Sequence, residues 1–457
     1  MHIYARNALL PEGWAENIRL ETSGGKVVSV IANSRVQAGD VSVDALLPAL
    51  GNVHSHSFQR AMAGMTEYRA PSALSGRDNF WTWRELMYRF LDHLTPDEIE
   101  AIAALVFMEM QEAGYAAVGE FHYVHHQPGG VPYDAVDELS QRILAAADET
   151  GIGLTLLPVL YSFGGTGEQP LAGGQQRFGN DYKRFTELIT ATRHSARYAP
   201  EDAVIGVAPH SLRATNPEQM RKIAADFAGG PIHIHAAEQP KEVDDTIAWL
   251  GARPVDWLLD NANIGPNWCF IHSTHMTQSE TLRLAKTGAV AGLCPLTESN
   301  LGDGIFNGVE YLNAGGNIAI GSDSCIRISV SSELSTLEYS QRLRDIGRNI
   351  LAVKEGSTGE QIYLRAAHGS AKALARNAGA IAIGSLADFV AVDSNHQSLC
   401  ALKPNQLVDG WVFGGGDHVV TDVWSAGRHC VKNGHHVARD KILKRYKSAI
   451  TKLVARL

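Results

Sequence analysis

Eight short apolar runs alternate with longer helical patterns through the middle of this chain of 457 residues. Each run is typical of a strand buried on both faces, and alternating strands and helices favour a parallel sheet covered by helices. Eight such units in about 330 residues predict a (β/α)₈ barrel of the TIM type. The main alternative is a doubly wound open sheet, but no glycine fingerprint follows the first run. The runs cover residues 46–53, 116–122, 153–161, 203–208, 232–236, 269–271, 289–293 and 318–320.

The two ends of the chain carry a different pattern, in which short alternating strands are separated by glycine-rich turns such as 23–25 and 414–416. Neither end is long enough to bury a good core alone. We therefore expect both ends to pair into one small β-sandwich domain beside the barrel. The predicted division assigns residues 1–46 to the N-terminal part of the sandwich, 47–383 to the barrel, and 384–457 to the C-terminal part of the sandwich plus a terminal helix.

Capping signals mark the starts of several predicted helices. Thr95 and Glu98 form a Thr-x-x-Glu pattern with Pro96 between them, which is typical of a helix N-terminus. The same pattern recurs at residues 215–218 and 277–280. We expect a helix to begin just after the threonine in each case.

Composition excludes several classes of protein. The chain has 40 Lys and Arg against 49 Asp and Glu, a net charge of −9, which argues against a nucleic-acid-binding protein. No apolar stretch is long enough for a membrane span, and no signal-peptide pattern is visible. The five cysteines are widely spaced without a Cys-x-x-Cys pair, so neither a disulfide framework nor a zinc knuckle is indicated. We expect a cytoplasmic protein with free thiols.

Two histidines follow the first predicted barrel strand with one residue between them. Residues i and i+2 of a strand point to the same side, so His54 and His56 can reach one metal ion. Active sites of (β/α)₈ barrels lie at the C-terminal ends of the strands, which is where these histidines lie. A His-x-His pattern alone is weak evidence, but in this position it indicates a metal site.

Three further strand ends carry groups with the same chemistry. His233 and His235 share a face at the end of the fifth run, and His235, nearer the strand end, is the expected ligand, whereas His233 should lie one layer deeper. Glu238 follows in the loop above the barrel mouth, where a carboxylate can shuttle protons beside a metal-bound water. His272 ends the sixth run and Asp323 the eighth. A buried carboxylate in that position should be paired, metal-bound or catalytic.

This constellation resembles the amidohydrolase superfamily over the whole chain. Many members hold two metals bridged by a lysine of the fourth strand; the fourth run here contains no lysine, which favours the branch with one metal, mostly deaminases. Four motif blocks narrow the resemblance to the N-formimino-L-glutamate iminohydrolase (formiminoglutamate deiminase) family. They are HSHSFQRAMAG at 54–64, APHSLR at 208–213, HIHAAEQ at 233–239 and CPLTESNLGDG at 294–304.

The resemblance implies one Zn²⁺ per chain, with Fe²⁺ as an alternative that accepts similar ligands. In the implied mechanism, His272 orients the attacking hydroxide, Asp323 helps to remove the proton of the water, and Glu238 carries a proton to the imino nitrogen. The products are N-formyl-L-glutamate and ammonia, in histidine degradation. The implied metal ligands are His54, His56, His235 and Asp323.

A substrate with two carboxylates needs a pocket with cations, and arginine suits carboxylates best. Arg213, just after the fourth run, and Arg84, in the long first loop, are the candidates. By resemblance, Gln59, Tyr123 and His210 also bind substrate. Arg84 could instead be an exposed helix residue, and Tyr123 could serve only in packing. The resemblance also implies a homodimer.

Two other functions remain open at this point. Another deaminase with one metal, acting on guanine or an adenosine derivative, would need aromatic stacking rather than two carboxylate-binding groups. A metal-free scaffold protein of the same fold is the less favoured alternative, because such relatives usually lose metal ligands and this chain retains them.

Overall fold

The computed structural model describes residues 1–67 and 80–456, with only the backbone described at residues 81 and 82. The strands are β1 (His2–Leu10), β2 (Gly13–Ser23), β3 (Lys26–Ile31), β4 (Val41–Pro48), β5 (Leu50–Ser55), β6 (Tyr115–His122), β7 (Gly153–Leu160), β8 (Val204–Ile205), β9 (Ala208–Pro209), β10 (Ile232–Ala236), β11 (Trp268–His272), β12 (Val290–Leu293), β13 (Asn317–Ile320), β14 (Phe389–Val392), β15 (Val420–Ser425), β16 (Arg428–Lys432) and β17 (His435–His436).

The α-helices of the described residues are α1 (Phe80–Leu91), α2 (Pro96–Glu112), α3 (Glu138–Thr150), α4 (Tyr182–Ser195), α5 (Pro217–Asp226), α6 (Pro240–Leu250), α7 (Pro254–Asn261), α8 (Gln278–Thr287), α9 (Pro295–Leu301), α10 (Gly308–Asn313), α11 (Val330–Asp345), α12 (Thr358–Ala373), α13 (Leu407–Gly410) and α14 (Arg439–Val454). Short 3₁₀ turns occur at Ser57–Met62, Pro128–Gly130, Gly173–Arg177, Ala196–Tyr198, Pro404–Gln406 and Asp417–Val419, and a π-helical segment at Trp411–Gly415.

Two curled parallel sheets close into a barrel. One has the order β5-β6-β7-β8, with β9 also pairing with β7, and the other has the order β10-β11-β12-β13. Parallel bridges join the sheets at both seams, between Val207 and Ile232 and between Ser55 and Asp323. The ring of strands confirms the predicted (β/α)₈ barrel. Because all the strands are parallel, their C-terminal ends meet at one face.

Two of the predicted runs differ in detail from the observed strands. The run 46–53 combines the end of β4, which belongs to the terminal sheet, with the start of β5 in the barrel. The fourth run splits into the two-residue strands β8 and β9. Gly206 lies between them, and a Cβ atom there would come within 2.6 Å of the Pro231 carbonyl oxygen, so the close approach of the next chain segment requires glycine.

The strands of both chain ends form one eight-stranded sheet with the order β17-β16-β15-β14-β4-β1-β2-β3. Strands β1 and β4 pair in parallel and the other neighbours are antiparallel. This confirms that a strand-rich unit is built from both termini. Apolar side chains of the unit pack into a core of their own, which includes Ile3, Ile18, Leu46, Phe389 and Trp424. The terminal helix α14 packs against α2.

The helix starts follow the predicted capping signals at two of three positions. Thr95 and Thr277 each cap their helix in a complete capping box. The third prediction is wrong by one residue, because Asn216 caps α5 by accepting the backbone N–H of Gln219. Pro217 explains the shift: proline favours the first helical position, so the residue before it becomes the cap. Across the described helices, none is long and apolar enough to cross a membrane.

Candidate active site

The C-terminal ends of four barrel strands bring the predicted histidines and the aspartate together. His54 lies in β5, His235 in β10 and His272 at the end of β11, and Asp323 follows β13. These four residues each offer one ligand atom, all within 4.8 Å of one another. His56, just beyond β5, joins them through an Nε2 atom 3.3 Å from Asp323 Oδ1.

The imidazole rings are oriented with their Nε2 atoms toward this centre. The Nδ1 atoms of His56 and His235 lie 2.9 and 3.0 Å from the carbonyl oxygens of Phe121 and His210. Because a carbonyl oxygen only accepts, Nδ1 carries the proton and the Nε2 lone pair is directed inward. The Nε2 atoms of His54 and His235 are 3.0 Å apart. Inward lone pairs beside a carboxylate are a donor set that fits a zinc ion.

The protonation states of these side chains agree with a cation site. Burial lowers the pKa of His54 to about 3, and it also lowers the pKa of His56 and His235, which keeps the rings neutral. Burial opposes ionisation of Asp323, but the hydrogen bond from His54 and the neighbouring imidazoles hold the pKa of this carboxyl below its usual range. The group therefore offers neutral imidazoles and an ionised carboxylate.

Backbone hydrogen bonds across the seam of the barrel hold Asp323 beside the His-x-His segment. The N–H of Asp323 donates to the carbonyl of His54 at 2.8 Å, and the N–H of His56 donates to the carbonyl of Asp323 at 2.9 Å. Asp323 has a φ of +45°, a conformation that few non-glycine residues adopt. Gly321 lies against His54, where a Cβ atom would come within 2.8 Å of the His54 backbone nitrogen. The seam thus fixes the positions of two strand ends relative to each other.

His272 lies between three carboxylates. Its Nδ1 atom is 3.2 Å from Glu298 Oε1, and its Nε2 atom is 3.8 Å from both Glu238 Oε1 and Asp323 Oδ2. Burial opposes the charged ring, but the hydrogen bond to Glu298 and the surrounding negative charges raise the pKa of His272 to about 10. The ring therefore lies between Glu238 and Asp323, two groups predicted to move protons.

Glu238 is held by the segment that follows β10. Its other carboxylate oxygen accepts a hydrogen bond from Arg213 Nη2 at 2.6 Å. The carboxylate of Glu242 accepts the backbone N–H groups of Ala237 at 3.1 Å and Glu238 at 3.0 Å. Ala237 has a φ of +53°, so these hydrogen bonds stabilise an unusual turn that directs Glu238 into the site.

A pocket opens directly onto this group. Asp323, His56, His235 and Glu238 line its floor. The five side chains predicted to bind substrate also line it: Gln59, Arg84, Tyr123, His210 and Arg213. The structure therefore gathers in one cavity residues that are as far apart in the chain as 59 and 213.

The pocket wall contains two guanidinium groups. Arg213 is 8% exposed, and although burial opposes its charge, Glu242 and Glu238 raise its pKa further above the usual arginine value. Arg84 donates from Nη2 to the hydroxyl of Tyr161 at 2.9 Å and from Nε to the hydroxyl of Tyr88. Two cations in one pocket suit a ligand with two anionic groups.

Other residues of the wall were not predicted. Tyr161 is the last residue of the run 153–161. Because residues at strand ends line the mouth of the barrel, the sequence could have predicted its place in the wall. Tyr88 lies in α1, in a stretch without a pattern pointing to the site. Gln175, in a 3₁₀ turn, does not line the pocket but contacts two tyrosines of its wall. Gln175 Nε2 donates to the hydroxyls of Tyr88 at 3.3 Å and Tyr161 at 3.4 Å, and Gln59 Nε2 donates to Tyr123 at 2.7 Å.

Three further histidines of the barrel and its loops contact backbone carbonyl groups through Nε2. His233 is buried with Nε2 2.8 Å from the carbonyl of Ala373, one layer below His235. The Nε2 atoms of His125 and His275 contact the carbonyls of Val159 and Asp303. These rings serve the packing of the barrel and its loops.

Comparison with known proteins shows which family this chain resembles. Residues 45–430 match the model of the amidohydrolase family, and residues 1–42 match the model described as formimidoylglutamate deiminase HutF, N-terminal domain. The formimidoylglutamate deiminase of Pseudomonas aeruginosa is 45% identical over 458 residues, which cover 99% of this chain and 99% of the relative.

Solved structures agree with these matches. A crystal structure of an amidohydrolase from Brucella melitensis has a TM-score of 0.94 and 45% identity, covering 99% of each chain. The structure of an adenosine deaminase from Xanthomonas campestris with bound zinc has a TM-score of 0.82 and 21% identity, covering 99% of this chain and 98% of the other, so it shares the fold. The chain belongs to the amidohydrolase family and, within it, to the formimidoylglutamate deiminases.

Proposed function

We propose that this protein is a metal-dependent hydrolase that converts N-formimino-L-glutamate and water to N-formyl-L-glutamate and ammonia, a step of histidine degradation. The observation that carries the proposal is a single pocket in which two arginines, Arg84 and Arg213, face a group of histidines and an aspartate suited to a metal ion. The identity of 45% with a formimidoylglutamate deiminase over the whole chain supports the same substrate.

The donor set supports zinc as the metal, with Fe²⁺ as the alternative. A bound zinc ion lowers the pKa of a coordinated water toward neutrality. The inward Nε2 lone pairs and the ionised carboxylate described above are the groups that would hold it. His272 also lies within reach of this centre. We assign it the role of orienting the attacking oxygen, as the family resemblance implies, and not that of a ligand. The proposed ligands are His54, His56, His235 and Asp323.

Three side chains move or hold protons in the proposed reaction. Oxygen from water forms a bond to the formimino carbon while Asp323 takes a proton from that water. His272 donates a hydrogen bond from Nε2 to the attacking oxygen and fixes its position. Glu238 delivers a proton to the imino nitrogen as the carbon–nitrogen π electrons move onto it. When the bond from carbon to this nitrogen breaks, its electron pair takes up the proton that Asp323 received from the water. The former water oxygen forms the double bond of the formyl group and returns its remaining proton to Glu238, and ammonia leaves.

The two carboxylates of the substrate would be held on the pocket wall. Arg213 and Arg84 provide the charge, and Arg84 is fixed by the hydroxyls of Tyr88 and Tyr161. Gln59, Tyr123 and His210, which also line the pocket, are the remaining polar contacts proposed for the substrate. A purine ring has no carboxylate to pair with either guanidinium group, which disfavours purine deamination.

A screen of ammonia release tests the proposed function. The zinc-loaded protein is incubated with N-formimino-L-glutamate, with guanidino compounds and with guanine, adenosine and 5′-substituted adenosines. The proposal predicts rapid release from N-formimino-L-glutamate and rates at least about 1000-fold lower from the purines. Turnover of a purine without turnover of N-formimino-L-glutamate would overturn it. The variant Asp323→Asn, assayed in parallel, controls for contaminating activity.

We further propose the organisation of the chain and its setting in the cell. The barrel, residues 47–383, carries catalysis, and residues 1–46 and 384–457 flank it. The five cysteines are all free, which is typical of a reducing compartment and supports a cytoplasmic location. Family resemblance supports a homodimer, which sedimentation velocity would test against a monomer of 49.4 kDa.

A further inference from the structure

The segment 294–304, from the end of β12 through α9, has no role in the proposed reaction, although it places buried carboxylates beside the site. Glu298 lies on α9 and is 5% exposed. Its Oε1 atom accepts a hydrogen bond from the backbone N–H of Cys294 at 2.9 Å and lies 3.2 Å from His272 Nδ1. The Glu298 carboxylate therefore contacts a side chain that takes part in the proposed reaction.

The contact with Glu298 determines which edge of the His272 ring faces the pocket. An ionised carboxylate only accepts hydrogen bonds, so it selects the edge of the ring that carries Nδ1–H. The Nε2 atom then points the other way, toward Glu238 and Asp323, and it is buried without a hydrogen-bond partner among the described residues. A half-turn of the ring about χ2 would replace Nε2 with a carbon atom at the proposed reaction centre.

Contacts with neighbouring residues hold both the backbone and the ring of His272 in place. His272 and the following Ser273 have φ values of +68° and +53°, in the left-handed region that non-glycine residues rarely occupy. Such a conformation persists only where surrounding contacts enforce it. Among the described residues, the His272 ring makes one hydrogen bond, from Nδ1 to Glu298, and its Nε2 atom makes none.

We infer that Glu298 is a positioning residue, which holds the His272 ring by Nδ1 so that Nε2 faces the attacking oxygen. The inference rests on the proposed function, because it assigns Glu298 to the step in which His272 fixes that oxygen. Glu298 touches neither the metal ligands nor the substrate in this scheme; it acts through His272 alone. Loss of the hydrogen bond should therefore lower kcat, with little change in KM or in zinc content.

Other contacts hold the segment when the Glu298 side chain is removed. The carbonyl of Asp303 lies 2.7 Å from His275 Nε2, and the carboxylate of Asp303 accepts a hydrogen bond from Gln239. Glu333, buried beside α9, accepts the backbone N–H of Leu296 at 2.9 Å. Glu333 is thus a matched control: it is a buried carboxylate that accepts a backbone N–H of the same helix, and it is not among the described residues that contact the His272 side chain.

The test compares the zinc-loaded full chain with Glu298→Ala, Glu298→Gln and Glu333→Ala. For each protein, kcat, KM, zinc per chain and melting temperature are measured. We expect Glu298→Ala to lower kcat by about 10- to 100-fold, as is typical when the partner of a functional histidine is lost. Glu298→Gln keeps an acceptor for both Nδ1–H and the Cys294 N–H, so kcat should return to within about fivefold of wild type. Glu333→Ala should lower the melting temperature but leave kcat per bound zinc within about threefold of wild type.

Three results would overturn the inference. Glu298→Gln could be as slow as Glu298→Ala, which would mean that the charge, and not the position of the ring, matters. Glu298→Ala could lose zinc or raise KM in proportion to the loss of rate, or Glu333→Ala could lower kcat equally, and either result would indicate a structural role. Failure of the proposed function is seen separately, as wild type that does not turn over N-formimino-L-glutamate. The same series is then run on the substrate that the ammonia screen identifies.

Discussion

Arg213 connects the substrate-binding wall to a group that moves protons, so its replacement tests both parts of the site. The guanidinium lies in the pocket, donates from Nη2 to Glu238 Oε2 at 2.6 Å, and lies over the ring of Phe80 with 5.7 Å from Cζ to the ring centre. Arg213→Met removes the charge while keeping much of the side-chain volume. It leaves Glu238 without this partner and the substrate without one of its two cations.

The expected loss follows from the burial of the pair. Removal of one member of a buried, hydrogen-bonded charge pair costs roughly 3–5 kcal/mol. At about 1.4 kcal/mol for each factor of ten, kcat/KM should fall by roughly 150- to 5000-fold. Arg213→Lys keeps the charge but loses the forked donor geometry, and it should recover only part of the loss. Arg221→Met, at an exposed position on α5, is the matched control and should change kcat/KM by less than about twofold.

Analogues that lack one carboxylate show whether Arg213 binds the substrate directly. Steady-state ammonia release is measured for N-formimino-L-glutamate, N-formimino-γ-aminobutyrate and N-formimino-L-2-aminobutyrate, with wild type and with Arg213→Met. If Arg213 binds a carboxylate, the variant should lose far less on the analogue that lacks this carboxylate than on the full substrate. Equal losses on all three compounds would show that Arg213 acts only through Glu238. A loss below about fivefold on the full substrate would refute both roles.

Three further predictions concern single carboxylates. Asp323→Asn should lower zinc per chain by at least about tenfold after dialysis against a weak chelator, measured by elemental analysis, and full retention would contradict its role as a ligand. Glu238→Gln should keep its zinc but lower kcat by about 10²- to 10⁴-fold, and activity near wild type would exclude a role in proton transfer. Burial raises the pKa of Glu120 from 4.5 to about 7, so the folded chain holds an extra proton between these values and loses stability as pH rises through that window. The free energy of unfolding of Glu120→Gln, measured by thermal unfolding, should therefore equal that of wild type near pH 4.5 and exceed it by about 3 kcal/mol above pH 7. The exposed control Glu355→Gln should show no such dependence on pH. A difference between Glu120→Gln and wild type that does not change with pH would contradict this.

The sequence predicts the barrel well because each strand is short, apolar and followed by a helix. The run 232–236 coincides with β10, where Pro231 precedes the strand and the turn at Ala237 follows it. The run 46–53 conceals two strands, because residues on both sides of the change between sheets are equally buried and no polar residue marks it. In residues 203–208 no polar residue marks the break at Gly206, although β8 is half-buried and β9 is buried.

The residues of the site also fall into those that local sequence patterns predict and those that they do not. Alternation along a strand and the convergence of strand ends are local rules, and they are sufficient to find the pairs His54 with His56 and His235 with Glu238. Tyr88 reaches the pocket, and Gln175 reaches two tyrosines of its wall, from long segments between strands; no local sequence pattern shows where such segments pack. Glu298 belongs to a motif visible in the sequence, but its contact with His272 Nδ1 depends on the packing of α9 against β11.

The central claim is that water replaces the imino nitrogen of N-formimino-L-glutamate and that this nitrogen leaves as ammonia. The most direct measurement incubates the zinc-loaded protein with the substrate in H₂¹⁸O and identifies the products by mass spectrometry together with an ammonia assay. The account predicts N-formyl-L-glutamate with one ¹⁸O in the formyl group and one ammonia per molecule formed. Release of formamide and L-glutamate, or no conversion by fully loaded protein, would contradict it.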